Sequence, residues 1–100
     1  MAASLTVGIA RVVLHVPASG SLKSKRQVVS GLLRRVRAEF RVSAAEVGEL
    51  DRWQLAELAI ATVSNSSRHT EEVLAAVLSY IESHCDGARV TDVSTELVRM

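Results

Sequence analysis

Residues 5–16, LTVGIARVVLHV, carry apolar side chains on both alternation sets of a strand: Leu5, Val7, Ile9 and Val13 on one, Ala10, Val12, Leu14 and Val16 on the other. The run is rich in β-branched residues and ends at Pro17, which has no ladder donor and suits a strand exit. A strand that is apolar on both sides is central in its sheet and covered on both faces. Residues 53–64, WQLAELAIATVS, repeat the pattern in their later half, with Leu58 and Ile60 opposing Ala59, Ala61 and Val63. These two runs predict the central strands of one sheet.

Between them lies SLKSKRQVVSGLLRRVRAEFRV, residues 21–42, with Leu22, Val29, Leu32, Leu33, Val36 and Phe40 at spacings of three and four. That spacing predicts an amphipathic helix with Ser21 as N-cap, entered through the loop Ala18 to Gly20. A short strand over 42–47 and a turn around Gly48 lead into the run from residue 53, which suggests a hairpin. Asn65, Ser66 and Ser67 then cap a second helix, whose Glu71 and Glu72 complement its N-terminal dipole. Its buried stripe is Val73, Leu74, Val77, Leu78 and Ile81, and Gly87 stops it. Residues 89–98, RVTDVSTELV, read as a final strand. The order predicts an α+β, ferredoxin-like βαββαβ fold: a four-stranded antiparallel sheet with two helices on one face, as a single domain over residues 1–100. With both helices on one face, the other face of the central strands is left apolar and open, which suits a homodimer.

Composition excludes several classes. At 48% hydrophobic and 23% charged residues, the chain is far from the disordered class. No run approaches the ~18 apolar residues of a spanning helix. The N-terminus lacks a basic leading region and is interrupted by Arg11 and His15, unlike a signal peptide. One cysteine, Cys85, forms no internal disulfide. A soluble, cytoplasmic protein is expected, without membrane contact.

The net charge of +1 conceals an asymmetry. Residues 1–41 hold eight cations against Glu39, while residues 42–100 hold four arginines against ten carboxylates, so the halves carry +7 and −6. Such asymmetry hints at polyanion contact, although acids of the second half could also pair with the first helix. At about 100° per residue, Lys23, Arg26, Arg34, Arg37 and Arg41 share one flank of the first helix, with Lys25 and Arg35 across its apolar stripe. Lys23, Lys25 and Arg26 fall in the first turn, where free N–H groups and the dipole favour anions. Cations there oppose the helix dipole, a conflict of the kind found at functional sites.

Other chemistry is sparse. With three aromatic residues, and none in the first strand, base stacking on the sheet face is not expected. Trp53 reads as a packing residue or an interface anchor. PASGSLKSKR lacks the phosphate-loop pattern of the acylphosphatases, which share this topology. The three histidines do not cluster, and His84, Cys85 and Asp86 have no recognised zinc spacing, so neither a metal nor a cofactor is expected. No nucleophile with a neighbouring base can be named, so an enzyme, such as a small phosphate-handling one, lacks support.

In the segments SLKSKRQVV and FRVSAAEV, the pair Trp53-Gln54 and the helix EEVLAAVLSYIES, the chain resembles the YlxP-like proteins, small bacterial proteins of unassigned function. The resemblance implies a ferredoxin-like domain and a gene neighbourhood shared with ribosome-binding factor A and other translation or transcription factors, but no catalytic residue. The family usually has an acid where Ser24 stands, so its capping box with Ser21 is absent here. The leading expectation is a non-enzymatic protein contacting RNA or a ribosomal particle, with ribosome assembly as the process in view, through phosphates at Lys23, Lys25, Arg26, Arg34, Arg37 and Arg41. The alternative is a homodimeric interaction module with Trp53 at its interface.

Overall fold

The computed structural model describes residues 4–17, 20–85 and 87–100. Most of the loop expected at Ala18 to Gly20, and Asp86, lie outside them. The elements are β1 (Thr6–His15), α1 (Leu22–Glu39), β2 (Ser43–Gly48), β3 (Leu55–Ser64), α2 (Ser67–Ser83) and β4 (Arg89–Arg99). They form a four-stranded antiparallel sheet in the order β2-β3-β1-β4, so the two strands with apolar residues on both faces are the central ones.

Strand alternation builds the core. In the β1–β3 register Ala10 lies opposite Ile60, Val12 opposite Leu58 and Leu14 opposite Ala56, and all six are fully buried. Val29, Leu32, Leu33 and Val36 of α1 and Leu74, Val77 and Ile81 of α2 close over this layer. Each such side chain contributes roughly 1.5–3 kcal/mol on burial. Helix α2 packs tightly on the sheet at Gly8, where a Cβ would overlap Thr70 Cγ2 and lie 3.0 Å from Leu74 Cδ1. The helices are joined at their far ends by Arg35 Nη2 donating to the His84 carbonyl at 2.9 Å, and by an edge-to-face contact of Phe40 with Tyr80.

Both helix starts are capped as the sequence suggests. Ser21 Oγ accepts from the Ser24 N–H at 3.0 Å, and Ser66 Oγ from the His69 N–H at 3.1 Å. Helix α1 ends earlier than its pattern predicts, at Glu39. Phe40 is already extended, its N–H making the last helical bond to the Val36 carbonyl. The cause is the short run to β2, which begins at Ser43 and needs the chain extended by then. Strand β3 starts at Leu55, so Trp53 and Gln54 belong to the connection before it. Strand β2 is shifted one residue along from the expected 42–47, and a bulge between Glu46 and Gly48 carries its pairing on to Gly48 opposite Glu57. The left-handed turn residue is Glu49, at φ 60°, rather than Gly48.

The sheet face away from the helices carries Val7, Ile9, Val13, Ala59, Ala61, Val63 and Val98, crossed by an ion pair between Arg11 Nε and Glu57 Oε2 at 3.1 Å. Ile9 is 39% and Val63 61% exposed.

Candidate functional site

The cations of α1 do not behave as one row. Lys23, Arg26 and Arg34 line a shallow groove with Gln27 and Ser30, positions three and four apart on one helix face. All three are exposed, and among the described residues no carboxylate pairs with any of them. Arg41 lies beyond the helix end, in a separate cleft with Arg37, Phe40, Val42, Ser43 and Val63. The early end of α1 is what separates Arg41 from the groove.

Arg37 is partly committed. Its Nε and Nη2 both donate to the Ala44 carbonyl, a main-chain acceptor on the edge strand β2. One guanidinium therefore caps an open sheet edge, which blunts it against strand addition.

Lys25 is a correction. Expected among the phosphate-contacting cations, it has no exposure at all. Its Nζ donates to the main-chain carbonyls of Glu49 at 2.7 Å, Leu55 at 3.1 Å and, more weakly, Leu50 at 3.4 Å. Glu46 Oε2 stands 3.0 Å away but lacks an aligned proton, because the ammonium's three are spent on carbonyls. The physical reason is geometric: Lys25 falls only about 40° from Val29 on the helix wheel, so it points inward with the stripe. Glu46 shares the inward alternation of Ala44 on β2. An ammonium and a carboxylate, each on the dry side of its own element, meet and pair.

That clamp positions the β2–β3 connection against the first turn of α1. The connection presents Trp53, 55% exposed, which with His15, Arg52, Gln54 and Leu55 lines a cavity of about 350 Å³ at the end of the sheet. Trp53 is thus not a packing residue. It also stands at the end of the open sheet face rather than within it. Arg52 Nη1 lies 3.6 Å from Glu49 Oε2, an exposed and weak pair. The roles of Gln27, Ser30, His15 and Arg52 have no sequence signal beyond helix periodicity for the first two, because a strand end and a turn meet only in the fold.

Cys85 is buried, its thiol donating to the Ala88 carbonyl at 2.9 Å. Among the described residues, no three His, Cys, Asp or Glu side chains gather as a metal site, and no helix is long and apolar enough to cross a membrane.

Residues 7–95 match the family described as "Protein of unknown function (DUF503)". The uncharacterized protein YlxP of Bacillus subtilis (strain 168) is 46% identical over 65 residues, which span 65% of this chain and 71% of that protein. Two similar solved structures are de novo designs. Foldit4 has a TM-score of 0.55 at 14% identity, covering 94% of this chain and 96% of its own. A designed protein with ferredoxin fold, LFR1 1, has a TM-score of 0.53 at 12% identity, covering 94% and 83%. At such identities the likeness concerns the fold alone.

Proposed function

Because the chain belongs to the YlxP-like family, described as DUF503, and no activity comes with that membership, its function has to be read from geometry, and we propose that it contacts RNA phosphates through one face of α1. The observation that carries this reading is the groove of Lys23, Arg26 and Arg34, three exposed cations with no carboxylate partner among the described residues. A chain with ten carboxylates in its second half has acids to spare for that groove. Four of them, Glu57, Glu46, Glu49 and Glu72, pair instead with Arg11, Lys25, Arg52 and Arg68. Uncompensated charge of one sign on a rigid helix attracts a polyanion and raises its association rate.

Gln27 and Ser30 add uncharged donors between the cations, and phosphate oxygens accept from such side chains as well as from lysine and arginine. Arg41 extends the contact past the helix end. Contacts of this kind position a protein without reading sequence, so selectivity comes from RNA shape, and a folded ribosomal RNA in an assembling particle is the setting we propose. The test is a triple substitution, Lys23→Gln, Arg26→Gln and Arg34→Gln. Thermal stability stays within a few degrees because all three are exposed, while affinity for a structured RNA falls at least tenfold. Unchanged affinity in the folded variant sinks the reading.

The helix-free sheet face supports a second reading, a homodimeric interaction module. Ile9, Val63 and Val98 are exposed there together, and an apolar sheet face of this kind is usually covered by a partner.

A further inference from the structure

The cavity around Trp53 lies outside the phosphate groove but is fastened to it. Lys25, between Lys23 and Arg26 in α1, donates to the carbonyls of Glu49, Leu50 and Leu55, which ties the connection carrying Trp53 to the helix's first turn. Four observations meet in this cavity. Trp53 is more than half exposed, and among the described residues its ring pairs with no other, the ring contacts being Phe40 with Tyr80 and Tyr80 with His84. Arg52 next to it is an exposed cation whose ion pair among the described residues is long. The cavity is open to solvent, and its volume, about 350 Å³, is at the low end of the range of small-ligand sites. His15 Nδ1, at its wall, is buried and has no hydrogen-bond partner among the described residues, a polar deficit of the kind that marks sites completed by something else.

Resting on the RNA reading above, we propose that this cavity is a nucleobase subsite: an unpaired base of single-stranded RNA stacks on the Trp53 indole while Arg52 meets an adjoining phosphate, and the strand continues onto the groove of α1. A base needs only a flat, exposed π face, and such stacking tolerates any sequence. A protein-binding hot spot draws instead on an aromatic anchor enclosed by neighbouring contacts that exclude water. Here the indole's companions in the cavity are an arginine, a glutamine, a histidine and one leucine. The two parts divide the work: the groove supplies salt-dependent attraction, and the indole supplies a contact that salt does not screen.

Trp53 is the chain's single tryptophan, so its fluorescence reports this subsite alone. A labelled oligouridylate is titrated at several salt concentrations, with binding read by anisotropy of the label and stacking read by quenching of Trp53. The expected result is quenching that follows the anisotropy. Trp53→Ala weakens binding by about 5- to 150-fold while leaving the log–log salt slope unchanged, and Trp53→Phe restores most of the affinity. An abasic ribose-phosphate oligomer binds without quenching. If the oligomer binds with the expected salt slope but Trp53 is not quenched and Trp53→Ala has no effect, the subsite is overturned and the phosphate reading stands. If Trp53→Ala instead changes the sedimentation coefficient and not the RNA affinity, the indole is a protein contact and the subsite is again overturned. No binding at all overturns both.

Discussion

Lys25 Nζ stands 3.0 Å from Glu46 Oε2, an ion pair at the joint between α1 and the β2–β3 hairpin with the lysine wholly out of water. Removing one member of such a pair strands the other. Lys25→Ala also leaves the carbonyls of Glu49, Leu50 and Leu55 short of a donor. The expected loss is about 3–5 kcal/mol, a drop in Tm of more than ten degrees for a domain of this size. Lys25→Met with Glu46→Gln loses less than the two single changes together, which a double-mutant cycle in urea measures. A Lys25→Ala variant of normal stability would show that the side chain is not the clamp described.

The tight packing of α2 on Gly8 sets a second expectation. Gly8 faces Thr70 and Leu74 with no room for a Cβ, and Thr70 is held by a 2.8 Å hydrogen bond between its Oγ1 and Ser64 Oγ. Gly8→Ala therefore destabilises by about 1–3 kcal/mol through overpacking. Thr70→Ser, which removes the offending methyl and keeps the hydroxyl, recovers part of that loss in the double variant. Chemical denaturation of the four proteins decides it.

Gly31 makes the opposite case. It sits inside α1, where glycine costs about 0.5–1 kcal/mol relative to alanine. A Cβ there meets only Arg35 Nη1 at 3.7 Å and Arg34 Nη2 at 3.8 Å, ordinary contact distances. Gly31→Ala is expected to raise stability by that amount, seen as a rise of a few degrees in Tm, without changing RNA affinity. A fall in stability would mean the helix is tighter at this point than the distances allow.

Ile9 and Val63 test the second reading. As exposed positions of a monomer, each tolerates glutamate with a change of about 0.5 kcal/mol or less. In a homodimer joined by this face, Ile9→Glu with Val63→Glu buries like charges across the interface and separates the subunits. Sedimentation velocity then shows a dimer for the native chain and a folded monomer for the variant. A native chain that sediments as a monomer at all concentrations removes the reading.

The fold was legible because its determinants are periodic. Alternation on both sides of β1 and β3 named the central strands, and Ser21 and Ser66 marked the helix starts. What failed to show was set by contacts between distant segments. Phe40 continues the helical stripe in sequence, yet it is extended because β2 has to begin three residues later. Gly48 looked like the turn residue, but it stays in the strand opposite Glu57, and Glu49 takes the left-handed conformation. Lys25 was the largest miss of the site. A lysine near an apolar stripe is ambiguous until the facing strand is known, and Glu46, the inward carboxylate that resolves it, lies twenty-one residues away. Helix periodicity put Lys23, Arg26, Arg34, Arg37 and Arg41 on one flank, yet only the first three line the groove, because Arg37 turns to the Ala44 carbonyl and the early helix end carries Arg41 away.

The salt dependence of RNA binding tests the central claim most directly. With Lys25 internal and Arg37 held by Ala44, four of the six cations expected at phosphate remain free to meet it, Lys23, Arg26, Arg34 and Arg41, apart from the contact proposed for Arg52 in the cavity. For a single strand they give a slope of log affinity against log salt of about −3. Each neutralising substitution among the four makes that slope shallower by about 0.7. A slope near zero, or one that the Lys23, Arg26 and Arg34 substitutions leave untouched, would contradict the account.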